Sequence, residues 1–204
     1  MILQANENLV FAREAKTGLS AIYEYAETMS SSVNTSLLTD MYELTMVDAA
    51  LQSGTWNRGA IFELFGRRLP AARRFGVMAG NARIIEALER FEFSSEEIDY
   101  LSREKIVSDD CLDYLKSYRF QGNIRGYTEG ECYFESSPLM QVEGTFAECV
   151  LLETLLLSIL NHDCAVASAA SRMTIAAHGR PCVDMGARRT HERSAVSAAR
   201  ASYI

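Results

Sequence analysis

Residues 145–178 contain neither a glycine nor a proline, and Leu151, Leu152, Leu155, Leu156 and Ile159 fall within the stretch. Glycine and proline are the residues that most readily interrupt a helix, so their joint absence predicts one long helix or two abutting ones. Apolar residues return on both faces, and a helix apolar all round has to be enclosed by other elements. The remainder of the chain must therefore build a core around this segment. A chain of 204 residues, 48% of them hydrophobic, can supply one good core, or one small domain and part of another.

Several function classes are disfavoured by composition. A net charge of -7 and a pI near 5.1 lack the excess of lysine and arginine that general nucleic-acid binding requires, so a small-molecule or protein partner is expected. No uncharged apolar run reaches the roughly 18 to 20 residues that span a bilayer. The longest, around residues 150–160, is broken by Glu153, so no membrane association is expected. The amino terminus carries Glu7, Arg13, Glu14 and Lys16 before any apolar segment, unlike a secretory signal, and the cytoplasm is the expected compartment. Cys111, Cys132, Cys149, Cys164 and Cys182 form neither a CxxC pair nor a dense framework, so buried free thiols in a reducing cytosol are expected.

The order of elements can be read in outline. Residues 1–36 form an extension: a weakly amphipathic segment at 9–28, then Met29 before three serines, which fits either an alternative translation start or a genuine leader helix. Thr39 and Asp40 precede an apolar series at Leu44, Met46, Val47, Ala50 and Leu51 that stops at Gly54, the start-and-stop pattern of a helix. Residues 60–65 predict a strand, followed by a loop with Pro70 and Arg67, Arg68, Arg73 and Arg74. Helical spacing at Ile84, Ile85, Leu88 and Phe91 predicts a helix over 79–91, and Ser94, Ser95, Glu96 and Glu97 open another. Short alternating pieces at 124–127, 132–134 and 139–142 predict a small antiparallel sheet. After the long helix, Gly179, Arg180 and Pro181 predict a stop, residues 182–185 a short buried strand, and the region from Glu192 a further helix that reaches Ile204 without a stop signal. Helix, strand, helix is the rhythm of a βα barrel or a doubly wound sheet.

Two groups of arginines are candidates for chemistry. Arg188 and Arg189 follow the predicted strand after Gly186, where paired guanidinium groups can fork onto carboxylate or phosphate oxygens; the alternative is a solvated turn pairing with Glu192. The loop with Arg67, Arg68, Arg73 and Arg74 is either a phosphate site or a surface turn whose arginines meet nearby acids. No glycine-rich phosphate cradle occurs in the sequence. No metal site is expected from His162, His178 and His191: His162 fits a hydrogen-bonded helix-packing residue, His178 a helix end, and His191 is kept as a candidate site residue beside the arginines. Tyr42 offers a flat ring, for core packing or for stacking on a heteroaromatic ligand.

Three segments taken together resemble one family. Residues 37–46 (LLTDMYELTM), then Phe62, Glu63, Leu64 and Phe65 with Arg67, Arg68, Leu69 and Pro70, then Met185, Gly186, Ala187, Arg188 and Arg189 are similar, in order and spacing, to landmarks of nicotinate phosphoribosyltransferases. Supporting pieces lie at 77–80, 129–131, 138–144 and 151–154, and the likeness runs from about residue 37 to the end.

The resemblance implies an α/β fold: an α+β N-terminal domain over residues 37–144 and, over 145–204, the incomplete beginning of an irregular βα barrel of the type II phosphoribosyltransferase kind. It implies the transfer of phosphoribosyl from phosphoribosyl pyrophosphate to nicotinate in NAD salvage, with ATP and Mg as co-substrate and ion, in a homodimer whose sites draw on both subunits. Tyr42 then corresponds to a tyrosine that covers the pyridine ring from the neighbouring subunit. Arg188 and Arg189 correspond to arginines near the nicotinate carboxylate and the sugar phosphates, and Arg67 to a phosphate contact across the dimer. Met185 stands where one branch has a ring-stacking phenylalanine, so sulfur contact replaces stacking there. The family's phosphoacceptor histidine is expected beyond Ile204, so no catalytic residue is assigned within the chain and it is expected to be inactive alone. The alternative is a non-catalytic fragment that dimerises with an intact enzyme.

Overall fold

The computed structural model describes residues 2–3 and 34–204; the expectations for the leader and for Met29 lie outside those residues. The long apolar stretch is one helix, Phe146–Ala177, which we treat as the axis of the fold. Its start is fixed by a capping box: Thr145 Oγ1 accepts from the Glu148 amide at 3.3 Å while the Thr145 amide donates to Glu148 Oε2 at 2.8 Å. The Glu148 carboxylate also accepts from the Gln121 amide at 2.9 Å, so the cap ties the helix to the preceding loop. His178 closes the other end in the left-handed region at φ 50, as the sequence anticipates for a helix-end residue. Replacement of Thr145 by alanine is expected to cost about 1 kcal/mol, and by serine much less; a thermal melt in which the two variants coincide would show that the hydroxyl cap contributes nothing.

A four-stranded antiparallel sheet packs against this axis. In chain order its strands are β1 (Ile2–Leu3), β2 (Gly59–Phe65), β4 (Asn123–Gly126) and β6 (Pro138–Thr145), arranged β1-β4-β6-β2. The register of β2 on β6 pairs Phe62 with Val142, with an irregularity at Leu64 and Phe65, and β6 leads directly into the long helix. A second, two-stranded piece pairs β3 (Gly76–Val77) with β5 (Cys132–Tyr133), again antiparallel. Of the three pieces expected to form one antiparallel sheet, 124–127 and 139–142 pair as β4 and β6, with β2 added at the edge, whereas 132–134 leaves them to pair with β3.

The remaining helices pack on the axis or on one another. α1 (Met41–Gln52), α2 (Asn81–Leu88), α3 (Ser95–Arg103) and α4 (Asp109–Lys116) precede the long helix, here α5, and α6 (Ser194–Tyr203) follows it. The serine signal at Ser94 is a full capping box with Glu97. α4 is absent from the sequence reading, although Ser108 caps it by accepting from the Cys111 amide at 3.4 Å and Asp109 and Asp110 occupy its first turn, both readable helix-start features. Val150, Leu151, Leu152, Leu155 and Leu156 of α5 are essentially inaccessible and share one core with Leu44, Val47, Ile84, Leu101, Leu115 and Val142.

Two expectations need correction. Residues 182–185 form no strand: Val183 and Met185 are 78% and 73% exposed, and every strand pair among the described residues is antiparallel. A short apolar segment becomes a barrel strand only when neighbours pair with its backbone on both sides, and the described residues offer it none. Nor is α5 buried on both faces throughout: its buried positions end at Ser168, while Met173 and Ile175 are 65% and 64% exposed. By length and composition α5 could cross a membrane, with a mean hydropathy of 1.5, yet 56% of the qualifying window is buried inside the protein, and Glu148 and Asp163 lie buried within the helix with hydrogen-bond partners. It is placed as a core helix.

Candidate functional site

Tyr42 and Glu43 sit side by side in the first turn of α1 and point in different directions. Tyr42 is 47% exposed and its hydroxyl donates to Glu153 Oε1 of α5 at 3.2 Å. Burial of the phenol, followed by the charge and hydrogen bond of Glu153, holds its pKa above the ordinary 10.0. Glu43 is completely buried. Its Oε1 accepts from the Thr154 hydroxyl at 2.6 Å and the Thr154 amide at 3.2 Å, and its Oε2 accepts from the Thr39 hydroxyl. Burial raises its pKa above the ordinary 4.5; the Thr154 hydroxyl bond opposes that shift, and the nearby Glu153 charge adds to it. Adjacent residues of α1 are therefore bonded to adjacent residues of α5, which fixes the rotation of α1 about its own axis and the direction of the Tyr42 ring.

The other predicted residues lie on exposed segments. Arg188 and Arg189 are in a short 3-10 turn, Ala187–Arg189, stabilised by Asp184 Oδ1 accepting from the Gly186 amide at 2.7 Å. Both guanidinium groups are exposed, and among the described residues neither forms an ion pair with Glu192. The His191 carbonyl accepts from the Ser194 hydroxyl at 2.7 Å at the start of α6, while its ring is exposed. Arg67 is exposed in the loop after β2, whose backbone is held by Glu135 Oε1 accepting from the Leu69 amide at 2.9 Å. Within one chain no hydrogen bond or ion pair among the described residues joins Tyr42 to Arg67, Arg188, Arg189 or His191. A groove of about 760 Å³, lined by Gly59, Gln121, Gly122, Glu143, Thr145 and Glu148 among others, contains none of them.

Two polar clusters escape the sequence reading, one of them around a buried carboxylate. Asp163, 2% exposed, accepts from Arg83 Nη1 at 2.6 Å on the same Oδ1 that meets His162 Nδ1 at 2.7 Å. His162 is thus the hydrogen-bonded helix residue anticipated. Glu129 caps the N-terminus of α2, accepting from the Gly80 amide at 3.1 Å and the Ala82 amide at 3.3 Å; burial raises its pKa and these amides oppose the rise. Glu43 lies within the apolar series of α1 and Asp163 next to His162, but only the fold brings their partners to them.

Residues 37–161 match the model of the nicotinate phosphoribosyltransferase N-terminal domain. The chain belongs to the nicotinate phosphoribosyltransferase family. It is 57% identical over 168 residues to a nicotinate phosphoribosyltransferase of Mycobacterium tuberculosis, across 82% of this chain and 37% of that protein. Against the Bacillus subtilis nicotinate phosphoribosyltransferase the figures are 37% identity over 170 residues, 83% of this chain and 35% of the relative. The chain thus spans little more than a third of the relatives it matches. The crystal structure of human nicotinic acid phosphoribosyltransferase superimposes with a TM-score of 0.74 at 28% identity, over 81% of this chain and 34% of the human one. A nicotinate-nucleotide pyrophosphorylase from Pyrococcus furiosus shares the fold alone, at a TM-score of 0.60 and 22% identity. The part matched by the nicotinate phosphoribosyltransferase domain includes Tyr42, Glu43, Arg67 and Glu153; Met185, Arg188, Arg189 and His191 follow it.

Proposed function

We propose that this chain supplies the N-terminal part of an enzyme that transfers phosphoribosyl from phosphoribosyl pyrophosphate to nicotinate, forming nicotinate mononucleotide and pyrophosphate in the cytoplasm, with ATP hydrolysis coupled to the transfer. The observation that carries the reading is the domain match over residues 37–161, supported by the likeness to the human enzyme at a TM-score of 0.74. In a homodimer, Tyr42 of one copy covers the pyridine ring bound by the other. Arg188 and Arg189 take the nicotinate carboxylate and phosphate oxygens, where a bidentate guanidinium is well matched to two acceptor oxygens. Met185 lies beside the ring, Arg67 meets a phosphate across the dimer, and His191 borders the anion site. The exposure of all these side chains within one chain fits a site completed by further protein.

Among the described residues no group of three or more His, Cys, Asp or Glu side chains is gathered to hold a metal ion, so no step is assigned to Mg here. His162 lies in α5 and His178 closes its end, and neither is proposed as a phosphoacceptor.

The test is a chimera in which this chain replaces the matching N-terminal third of the Bacillus subtilis relative. Formation of nicotinate mononucleotide from nicotinate, phosphoribosyl pyrophosphate and ATP is expected. Arg188→Ala in the chimera is expected to lower kcat/KM by about 100-fold, the scale of losing a charged donor from an anion site. A folded chimera without turnover overturns the reading. The chain assayed alone is expected to give little or no product, and turnover at a relative's rate would overturn the proposal that it is only one part of the machinery.

A further inference from the structure

Resting on the proposed pyridine site, we infer that Glu153 acts through the Tyr42 hydroxyl to make the Tyr42 ring an electron-rich platform that favours a positively charged pyridine ring over a neutral one. The Tyr42 hydroxyl donates to Glu153 Oε1 at 3.2 Å, and the ring remains 47% exposed. A phenol donating to a carboxylate carries more electron density in its π system than one donating to water, and the attraction of a cation to an aromatic face grows with that density. The Glu43 and Thr154 bonds hold α1 and α5 together beside this pair, so the ring and the carboxylate keep their relative placement.

The chemistry of ribosyl transfer makes such a preference useful. The ring nitrogen's lone pair forms the bond to C1′, and pyrophosphate leaves with the electrons of the C1′–O bond. The pyridine ring thereby passes from neutral to cationic, and a group that attracts the cation more than the neutral ring stabilises the transition state selectively. Glu153 is a positioning residue in this scheme, because it touches Tyr42 and not the substrate.

The experiment uses the chimera of this chain with the remainder of the Bacillus subtilis relative, its aromatic rings labelled with carbon-13, titrated with nicotinate and with N-methylnicotinate, whose rings differ in charge. Ligand-induced shifts of the residue 42 ring resonances are followed by NMR. The chimera with Glu153 and Tyr42 intact is expected to bind N-methylnicotinate about two- to fivefold more tightly than nicotinate. Glu153→Gln is expected to remove most of that ratio while leaving nicotinate binding within about twofold, a selective change that simple loosening of the fold would not produce, and Tyr42→Phe, which lacks the hydroxyl, is expected to lose the ratio as well. A ratio unchanged in Glu153→Gln overturns the inference. A ratio retained in Tyr42→Phe also overturns it, because Glu153 would then act directly through space. Failure of both ligands to move the residue 42 resonances overturns the pyridine site itself, and the inference with it.

Discussion

Replacing Glu43 by alanine is expected to destabilise the protein by about 3 kcal/mol, whereas glutamine at the same position is expected to cost less than about 1 kcal/mol. The difference follows from the partners. Alanine leaves the Thr154 hydroxyl and the Thr39 hydroxyl without an acceptor in a place closed to water, and opens a cavity where α1 meets α5. A glutamine amide satisfies the same geometry: its oxygen accepts from Thr154, and its nitrogen donates to Thr39 Oγ1, whose own proton turns away. Urea unfolding of the two variants at neutral pH checks the pair, and equal losses would mean that the carboxylate itself, and neither the cavity nor hydrogen bonds that an amide can replace, dominates at this site.

The pH dependence has a defined sign. Burial raises the Glu43 pKa above 4.5, so between that value and the folded one the native state binds more protons than the unfolded chain. Stability from this group is therefore greatest below 4.5 and falls as pH climbs towards the folded pKa. Glu43→Gln removes that decline, and its stability is expected to vary less with pH over the same window. Glu129, raised for the same reason, remains in both proteins and cancels from the difference. A parallel pH profile for the unmodified chain and the glutamine variant would assign the slope to other carboxylates.

The elements that were legible in the sequence are those whose cause is local. Ser94 and the stop at Gly179 mark helix ends through features confined to a few residues, and the structure uses them. Asp40 is a partial case: it occupies the N-cap of α1 without a side-chain cap bond, while the neighbouring Thr39 donates to Glu43. The segment at 182–185 fails because its apolar composition suits a strand but pairing is a property of neighbours. Arg188 and Arg189 remain as the sequence presents them, two exposed guanidinium groups on a turn, and Tyr42 remains an exposed ring. The links from Tyr42 to Glu153, from Glu43 to Thr154 and from Arg83 to Asp163 join residues far apart in the chain. Such pairs carry no local signal, and what the sequence leaves unread here is the set of contacts that aims the side chains.

Gly122→Ala, one residue before β4, is expected to be more damaging than alanine at Gly59, costing at least about 3 kcal/mol by overpacking and disrupted strand pairing. A Cβ at this position would lie 2.1 Å from the backbone oxygen of Glu143 and 2.7 Å from the Phe120 ring. The oxygen belongs to β6, where Glu143 pairs with both Ile61 of β2 and Asn123 of β4, so it cannot retreat without opening the ladder on both sides. The neighbouring Gln121 amide is bonded to Glu148, the acid of the box that starts α5, and a displaced residue 122 would pull on the first turn of the axial helix. Gly59→Ala is the matched control: it lies in β2 of the same sheet, nothing lies within 4 Å of its added Cβ, and its effect is expected to stay within about 0.5 kcal/mol. Chemical denaturation of both variants distinguishes a steric cause from a general intolerance of alanine in these strands. If Gly122→Ala unfolds with the same midpoint as Gly59→Ala, β4 and β6 are not packed as closely as the backbone contact at Glu143 requires.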